Sequence, residues 1–206
     1  MKSIFHPTYF PNVAQLAGML QAKEITLEME DNYQKQTYRN RTYIYAANGK
    51  LQLSIPVVYS QKKRQLYRDI KIHNVEKWQV LHWKSLESAY KTSPFFEFYE
   101  AELKPLFFTK AEYLLDFNIK CLETVLECLQ LELNFSKTEN YTKNYPESTD
   151  YRYLANSRKE ANYNFDMYTQ VFGNKHGFIA NLSILDLLFN EGTNAITYLE
   201  KQYKYL

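Results

Sequence analysis

Residues 2–30 read KSIFHPTYFPNVAQLAGMLQAKEITLEME, and they predict an α/β fold. Residues 2–10 have the β-prone bulk of a short strand, and apolar residues then recur at helical spacing from Val13 to a helix end near Ala22. Residues 25–30 alternate between apolar and polar, which is typical of a half-buried strand. Because strand, helix and strand follow within about 30 residues, we expect a parallel, right-handed βαβ unit.

The rest of the chain predicts a hairpin followed by helices. Two β-prone runs, 42–46 and 51–58, flank Asn48-Gly49, which is a strong signal for a hairpin turn. Helical periodicity follows in five segments, which begin at 77 and at 93 and run over 110–131, 183–190 and 194–203. We expect Pro105 to interrupt the second of them. We therefore expect one α/β domain over 1–206, in which the hairpin extends the βαβ unit into a mixed sheet and C-terminal helices cover it.

Residues 134–165 are polar, rich in Tyr and Asn, and weakly periodic. A segment of this length without regular structure is typical of a functional lid or a mobile loop. Its tyrosines, with an apolar ring and a polar tip, suit a surface that faces a sugar or a nucleotide. They equally suit an irregular segment packed on the core.

Composition bounds the class of protein. The 206 residues include only 5 glycines, which leave no GxGxxG motif and no phosphate-binding P-loop. Basic residues interleaved with tyrosines can hold single-stranded nucleic acid, as Lys62, Lys63, Arg64 and Arg68 could. The net charge of only +2 argues against nucleic acid as the partner and favours a solvated loop. Without a signal peptide or an apolar span, we expect a cytoplasmic protein with no membrane span. Cys121 and Cys128 stand about 10 Å apart on a helix, too far for a disulfide, so we expect free thiols.

The first candidate site is the turn His6-Pro7-Thr8-Tyr9-Phe10-Pro11 between the first strand and the first helix. Such a turn gathers free N–H groups and the positive end of a helix dipole, and ligands of α/β sheets bind in such places. His6 has a side chain suited to general acid/base catalysis or to binding phosphate. The alternative is a histidine that caps or packs a rigid turn.

The second candidate is the stretch 31–41, which follows the second strand and can reach the same end of the sheet. Arg39 and Arg41 can form a fork onto phosphate or carboxylate, and Asp31 can hold a metal or orient a base. Solvated charges on a surface hairpin are the alternative.

Two further features have a functional and a structural interpretation. His82 lies on the apolar face of its predicted helix, where it is either the proton-transfer group or a core histidine. Ser183 and Asp186 resemble a nucleophile with a helping acid, but the spacing fits a helix-capping box better, and Gly192 fits the end of that helix. The histidines show no metal-ligand spacing, so no metal site is predicted, and the sequence identifies neither a cofactor nor an oligomeric state.

Several blocks in order along the chain resemble the WbqC-like protein family of bacteria. They are the 6–11 turn; Asp31, Lys35, Gln36, Asn40 and Arg41; residues 49–57; Trp78, His82, Tyr90-Lys91 and Pro94-Phe95-Phe96; and Tyr168, Gln170, Phe172 and residues 182–192. Members occur in surface-polysaccharide gene clusters of the O-antigen type, which implies sugar or sugar-acyl transfer. Many carry Gln at the position of His6, which suits a hydrogen-bonding role there better than proton transfer.

The sequence and the resemblance together predict a transferase that moves an acyl or aminoacyl group onto an activated, phosphorylated sugar. In this hypothesis His82 or His6 moves the proton. The substrate-binding residues are Tyr9, Asp31, Lys35, Arg39, Asn40, Arg41 and Gln170. The alternative is a module that binds a nucleotide-sugar or a partner protein without turnover.

Overall fold

A four-stranded parallel sheet organises the computed structural model, which describes residues 2–60 and 63–206. Its first unit runs from β1 (Lys2–Phe5) through α1 (Val13–Gln21) to β2 (Glu24–Leu27). The two strands are parallel, with Phe5 opposite Leu27, so the predicted βαβ unit is confirmed. Asn12 caps α1 by accepting a 2.9 Å hydrogen bond from the Gln15 amide.

The weakly periodic segment 134–165 completes this sheet. It contributes β7 (Phe135–Lys137), which pairs with β2, and β8 (Thr149–Asp150), which pairs with β1. The strand order is therefore β7-β2-β1-β8, and every pair is parallel. Strands of two or three residues are too short to show a period, which explains why the sequence pattern predicts only a lid or a loop here.

The hairpin forms a sheet of its own. Strands β3 (Arg41–Ala46) and β4 (Gly49–Ser54) pair only with each other, and β5 (Val57–Val58) pairs with β6 (Lys71–Ile72). The expected extension into one mixed sheet does not form, because β7 and β8 occupy the positions next to β2 and β1. The turn also lies one residue earlier than expected: Ala46 pairs with Gly49, which takes a φ of +98° after the turn.

Helices cover the strands. They are α2 (Trp78–Tyr90), α3 (Phe96–Phe108), α4 (Leu114–Cys128), α5 (Gly173–His176), α6 (Ile184–Glu191) and α7 (Ala195–Gln202). Helix α3 continues through Pro105, contrary to expectation, because the proline lies near its C-terminal end and the neighbouring Leu103, Leu106 and Phe107 are buried. The predicted α/β class is confirmed. Within the described residues, no helix combines the length and apolar character needed to cross a membrane.

The capping prediction for α6 is correct at Ser183 and Gly192 but wrong at Asp186. The Ser183 hydroxyl accepts a hydrogen bond from the Leu185 amide, and the amide of Gly192 bonds to the Leu188 carbonyl at the other end. Asp186 is instead fully buried, and its carboxylate accepts hydrogen bonds from Tyr90, Tyr168 and Gln170. A carboxylate inside the core needs several donors, and the core supplies more of them than the helix end.

Candidate functional site

The 6–11 turn begins where β1 ends, at the carboxyl end of the parallel sheet. Hydrogen bonds fix it from several sides: Gln15 Nε2 donates to the His6 carbonyl over 2.6 Å, and the Tyr67 hydroxyl donates to the Pro7 carbonyl over 2.9 Å. The whole turn is buried. It therefore presents His6 at a fixed position at this end of the sheet.

His6, Asp31 and Arg39 form one buried cluster. Arg39 Nη2 lies 2.7 Å from His6 Nε2 and 3.0 Å from Asp31 Oδ2, and His6 Nε2 lies 3.2 Å from the same carboxylate oxygen. Asp31 comes from the stretch that follows β2, and Arg39 from the stretch that precedes β3. The two sequence stretches thus meet as expected at the carboxyl end of the sheet.

The electrostatics of the cluster favour a neutral imidazole between an anion and a cation. Burial, reinforced by the charge of Arg39, lowers the pKa of His6 to about 3. Burial opposes ionisation of Asp31, but the positive charge of Arg39 and the hydrogen bond that the Asn32 amide donates to the carboxylate favour it, and the pKa of the carboxyl is lowered. A neutral His6 accepts from Arg39 at Nε2 and carries its proton on Nδ1, an assignment that follows from these partners.

The cluster forms part of the wall of a cavity of about 390 Å³. The other described residues that line it are Gln34, Tyr141, Asp150, Arg152, Tyr153 and Asn156. Asp150 ends β8 beside β1, and 39% of its side chain is exposed, against 10% for Asp31 and 2% for Arg39. Tyr141 and Tyr153 are about half exposed. The accessible groups of this central cavity are therefore the Asp150 carboxylate, the tyrosine rings and the Gln34 amide, with the largely buried Asp31 and Arg39 behind them.

Arg152 shapes the central cavity without offering it a donor. Its Nε and Nη2 donate to Asp150, and its Nη1 donates to Glu28 Oε2 over 3.2 Å. The remaining N–H groups donate to the carbonyls of Thr142 and Lys143 over 2.9 and 2.8 Å. All five N–H groups of the guanidinium are thus engaged. Arg152 ties the chain between β7 and β8 to the ends of β2 and β8.

Sequence reasoning missed Asp150 and Arg152 for one reason. They belong to or follow β8, a strand of only two residues, whose place in the sheet no local pattern reveals. The signal available is chemical: an Asp-x-Arg pair beside tyrosines, within a segment for which the sequence predicts a lid or a mobile loop.

His82 and Tyr9 lie in the core and are not among the described residues that line the central cavity. Tyr9 Oη is 2.9 Å from His82 Nδ1, and the imidazole packs edge-on against Trp78, with ring centres 5.2 Å apart. Burial lowers the pKa of His82 to about 4, and a hydrogen bond with the Ser54 backbone opposes this shift. This placement separates the two predicted proton-transfer histidines.

The other predicted binding residues also lie away from the central cavity. Arg41 reaches along the hairpin to Gln52 over 3.1 Å, so it does not form the expected fork with Arg39, which points into the buried cluster. Asn40 donates to the Ile55 carbonyl, Lys35 lies exposed over the Tyr59 ring, and Gln170 bonds to Asp186.

The predicted basic loop is not part of the described lining of the central cavity. Lys62 falls outside the described residues, whereas Lys63 and Arg64 are exposed and Arg68 pairs with Glu30. In the described part of the chain, no three His, Cys, Asp or Glu side chains are grouped so as to hold a metal ion.

Comparison with known proteins identifies the family. The sequence model of the WbqC-like protein family matches residues 6–161, which run from the turn after β1 to the stretch after β8. The uncharacterized protein Rv1507c of Mycobacterium tuberculosis is 26% identical over 196 residues, covering 81% of this chain and 83% of that protein. No solved structure matches. Because the family match covers well over half of the length of this chain, the chain belongs to the WbqC-like protein family.

Proposed function

We propose that the protein is a cytoplasmic transferase that moves an acyl or aminoacyl group onto an activated sugar during surface-polysaccharide assembly. The biological setting rests on what the resemblance to the WbqC-like family implies, and the chain belongs to that family. The central cavity supports the chemistry, since it lies at the carboxyl ends of parallel strands, where α/β proteins bind their ligands.

One observation carries the proposal: Asp31 and Asp150 line the same cavity between two half-exposed tyrosine rings. Ionised carboxylates accept hydrogen bonds from sugar hydroxyls, and tyrosine rings pack against the apolar face of a sugar. A volume of about 390 Å³ lies within the range of small-molecule sites. His6 Nδ1 and Arg39 Nε are buried without a hydrogen-bond partner in the described residues, so the cluster behind the cavity keeps two unused donors.

In the proposed reaction a sugar hydroxyl attacks the carbonyl carbon of an activated acyl ester or thioester. The new C–O bond forms as the carbonyl carbon releases its leaving group, which departs with the bonding electron pair. Asp31 takes the proton of the attacking hydroxyl. His6 holds Arg39 against Asp31 through an acceptor nitrogen, and a Gln side chain offers an acceptor oxygen for the same task. An anionic group bound beside the ring would raise the pKa of His6.

The test is product analysis after incubation with nucleotide-sugars and activated acyl or aminoacyl donors. We expect Asp31→Asn to lower kcat at least about 100-fold, as for the loss of a general base. Asp69→Asn is the matched control, because Asp69 is exposed and is not among the described residues that line the central cavity. Full activity of Asp31→Asn would contradict the assignment.

The rival function is a module that binds a nucleotide-sugar without turnover. The low pKa of His6 favours it, since a histidine with a pKa near 3 is neutral at neutral pH and is a weak base. A nucleotide-sugar that stabilises the protein in a thermal-shift panel, and is recovered unchanged with every donor, would support the rival and exclude the transferase.

A further inference from the structure

A second polar groove lies between residues 166–170 and α7. It has a volume of about 840 Å³, compared with about 390 Å³ for the central cavity, and none of its described lining residues is shared with that cavity. The start of α5 and Phe178 also line the groove. We call it the α7 groove.

Three aromatic rings stand on the wall of the α7 groove. Tyr168 packs edge-on against Phe178, with ring centres 5.3 Å apart, and against Tyr198 at 5.1 Å. The hydroxyl of Tyr168 donates to Asp186 and that of Tyr198 donates to the Asp166 carbonyl, so both rings are held by their polar ends. The rings therefore form a fixed apolar platform.

A buried carboxylate fixes this wall from behind. Asp186 is fully buried and accepts hydrogen bonds from Tyr90 at 2.7 Å, Tyr168 at 2.5 Å and Gln170 at 2.9 Å. Gln170 also bonds to both backbone groups of Ile179, which leaves its amide fully used. Two of the three groups that hold Asp186 thus line the α7 groove, so the buried network sets the position of the groove wall.

Most of the free polar groups of the α7 groove are neutral, and the exposed Lys201 is the charged exception among the described residues. Thr169, Asn174, Asn194 and Thr197 line it with side chains that make no hydrogen bond within the described residues. Hydroxyl and amide groups offer both donors and acceptors. The described charged residues of the wall are Asp166, Glu191 and Lys201, so the groove has no strong excess of either sign.

We infer that the α7 groove binds a neutral saccharide, with its sugar rings on the aromatic platform and its hydroxyls bonded to the free threonine and asparagine side chains. A polyhydroxylated ligand matches groups that both donate and accept, and the fixed rings match the apolar faces of a pyranose. This inference does not depend on the transfer reaction proposed above, because it concerns a different set of residues and requires no turnover.

The test is an NMR titration of the ¹⁵N-labelled full chain with neutral oligosaccharides of glucose, xylose and N-acetylglucosamine. We expect saturable amide shifts in residues 166–178 and 194–201 with at least one of these probes. The double variant Asn194→Ala/Thr197→Ala should weaken that affinity about tenfold, as expected for two neutral hydrogen bonds.

The matched control is Asn164→Ala/Thr193→Ala. It removes the same two residue types at exposed positions that are not among the described lining residues, and it should leave the affinity unchanged. Three results would each overturn the inference. They are amide shifts confined to the central cavity, no shift with any probe, and an α7 groove that binds mixed-sequence peptides but no saccharide. A protein that binds saccharide here but shows no transfer would contradict only the proposed reaction.

Discussion

His6 and His82 are the two buried histidines, and both are neutral in the folded protein at neutral pH. Their pKa values in the folded state are about 3 and about 4, whereas a histidine in an unfolded chain has a pKa of about 6.5. Between these values the unfolded state binds more protons than the folded state. The contribution of the two neutral histidines to the free energy of unfolding is therefore complete above pH 6.5 and is lost as the pH falls towards 4.

We expect the free energy of unfolding to fall between pH 6.5 and 4.5 by up to about 1.4 kcal/mol per pH unit for each histidine. Urea unfolding at several pH values measures this slope. His6→Gln and His82→Gln should each reduce it, whereas His73→Gln, which removes an exposed imidazole, is the matched control. Equal slopes in all four proteins would show that the two buried histidines are not the cause.

Gly192 is a position where only glycine fits. Its φ is +57°, and a Cβ added there would lie 2.8 Å from the ring of Phe95. We expect Gly192→Ala to lower the free energy of unfolding by about 3 kcal/mol, from backbone strain and overpacking together. Gly173→Ala is the matched control, since its nearest neighbour is Gln170 Cβ at 4.0 Å, and it should change stability by less than about 1 kcal/mol. Equal effects of the two changes in thermal denaturation would contradict this account.

Among the elements, the connection between β7 and β8 depends on Arg152. Glu28 at the end of β2 is fully buried and accepts hydrogen bonds from Thr138, Tyr145 and Arg152. Arg152→Ala leaves this carboxylate without its cation and frees two backbone carbonyls. We expect the free energy of unfolding to fall by about 3 kcal/mol and the amides of residues 138–145 to exchange faster with deuterium.

The exposed Arg158 gives a matched control for Arg152. Arg158→Ala removes the same side chain a few residues along the same segment and should change stability by less than about 0.5 kcal/mol. If exchange at residues 138–145 were as slow in Arg152→Ala as in Arg158→Ala, the connection would be held by its strands alone.

The elements also show how far the sequence predicts the fold and the site. The first βαβ unit has clear periods over β1, α1 and β2, and it places His6 and the 31–41 stretch at one end of the sheet, so their meeting is predictable. Strand β8 has no period, so Asp150 and Arg152 are found only in three dimensions. Arg39 and Arg41 look equivalent in sequence, but the buried carboxylate of Asp31 draws in only Arg39.

For the whole molecule, the two cysteines report on the integrity of the core. Both thiols are free, as predicted, and both are buried on α4, at 0% exposure for Cys121 and 5% for Cys128. Burial raises the pKa of Cys128 to about 12 and also raises that of Cys121 well above its ordinary value. Only a thiolate attacks a disulfide reagent, so burial and the raised pKa both protect these groups.

We expect both cysteines to react with an aromatic disulfide reagent at least about 1,000-fold more slowly than an exposed thiol, at the rate at which the whole protein unfolds. Thr193→Cys supplies the exposed reference within the same chain, because Thr193 lies on the surface. In urea all thiols should react at once, two in the wild type and three in the variant. Rapid reaction of Cys128 alone in native buffer would mean that the end of α4 opens separately, because local opening exposes one thiol and global unfolding exposes both.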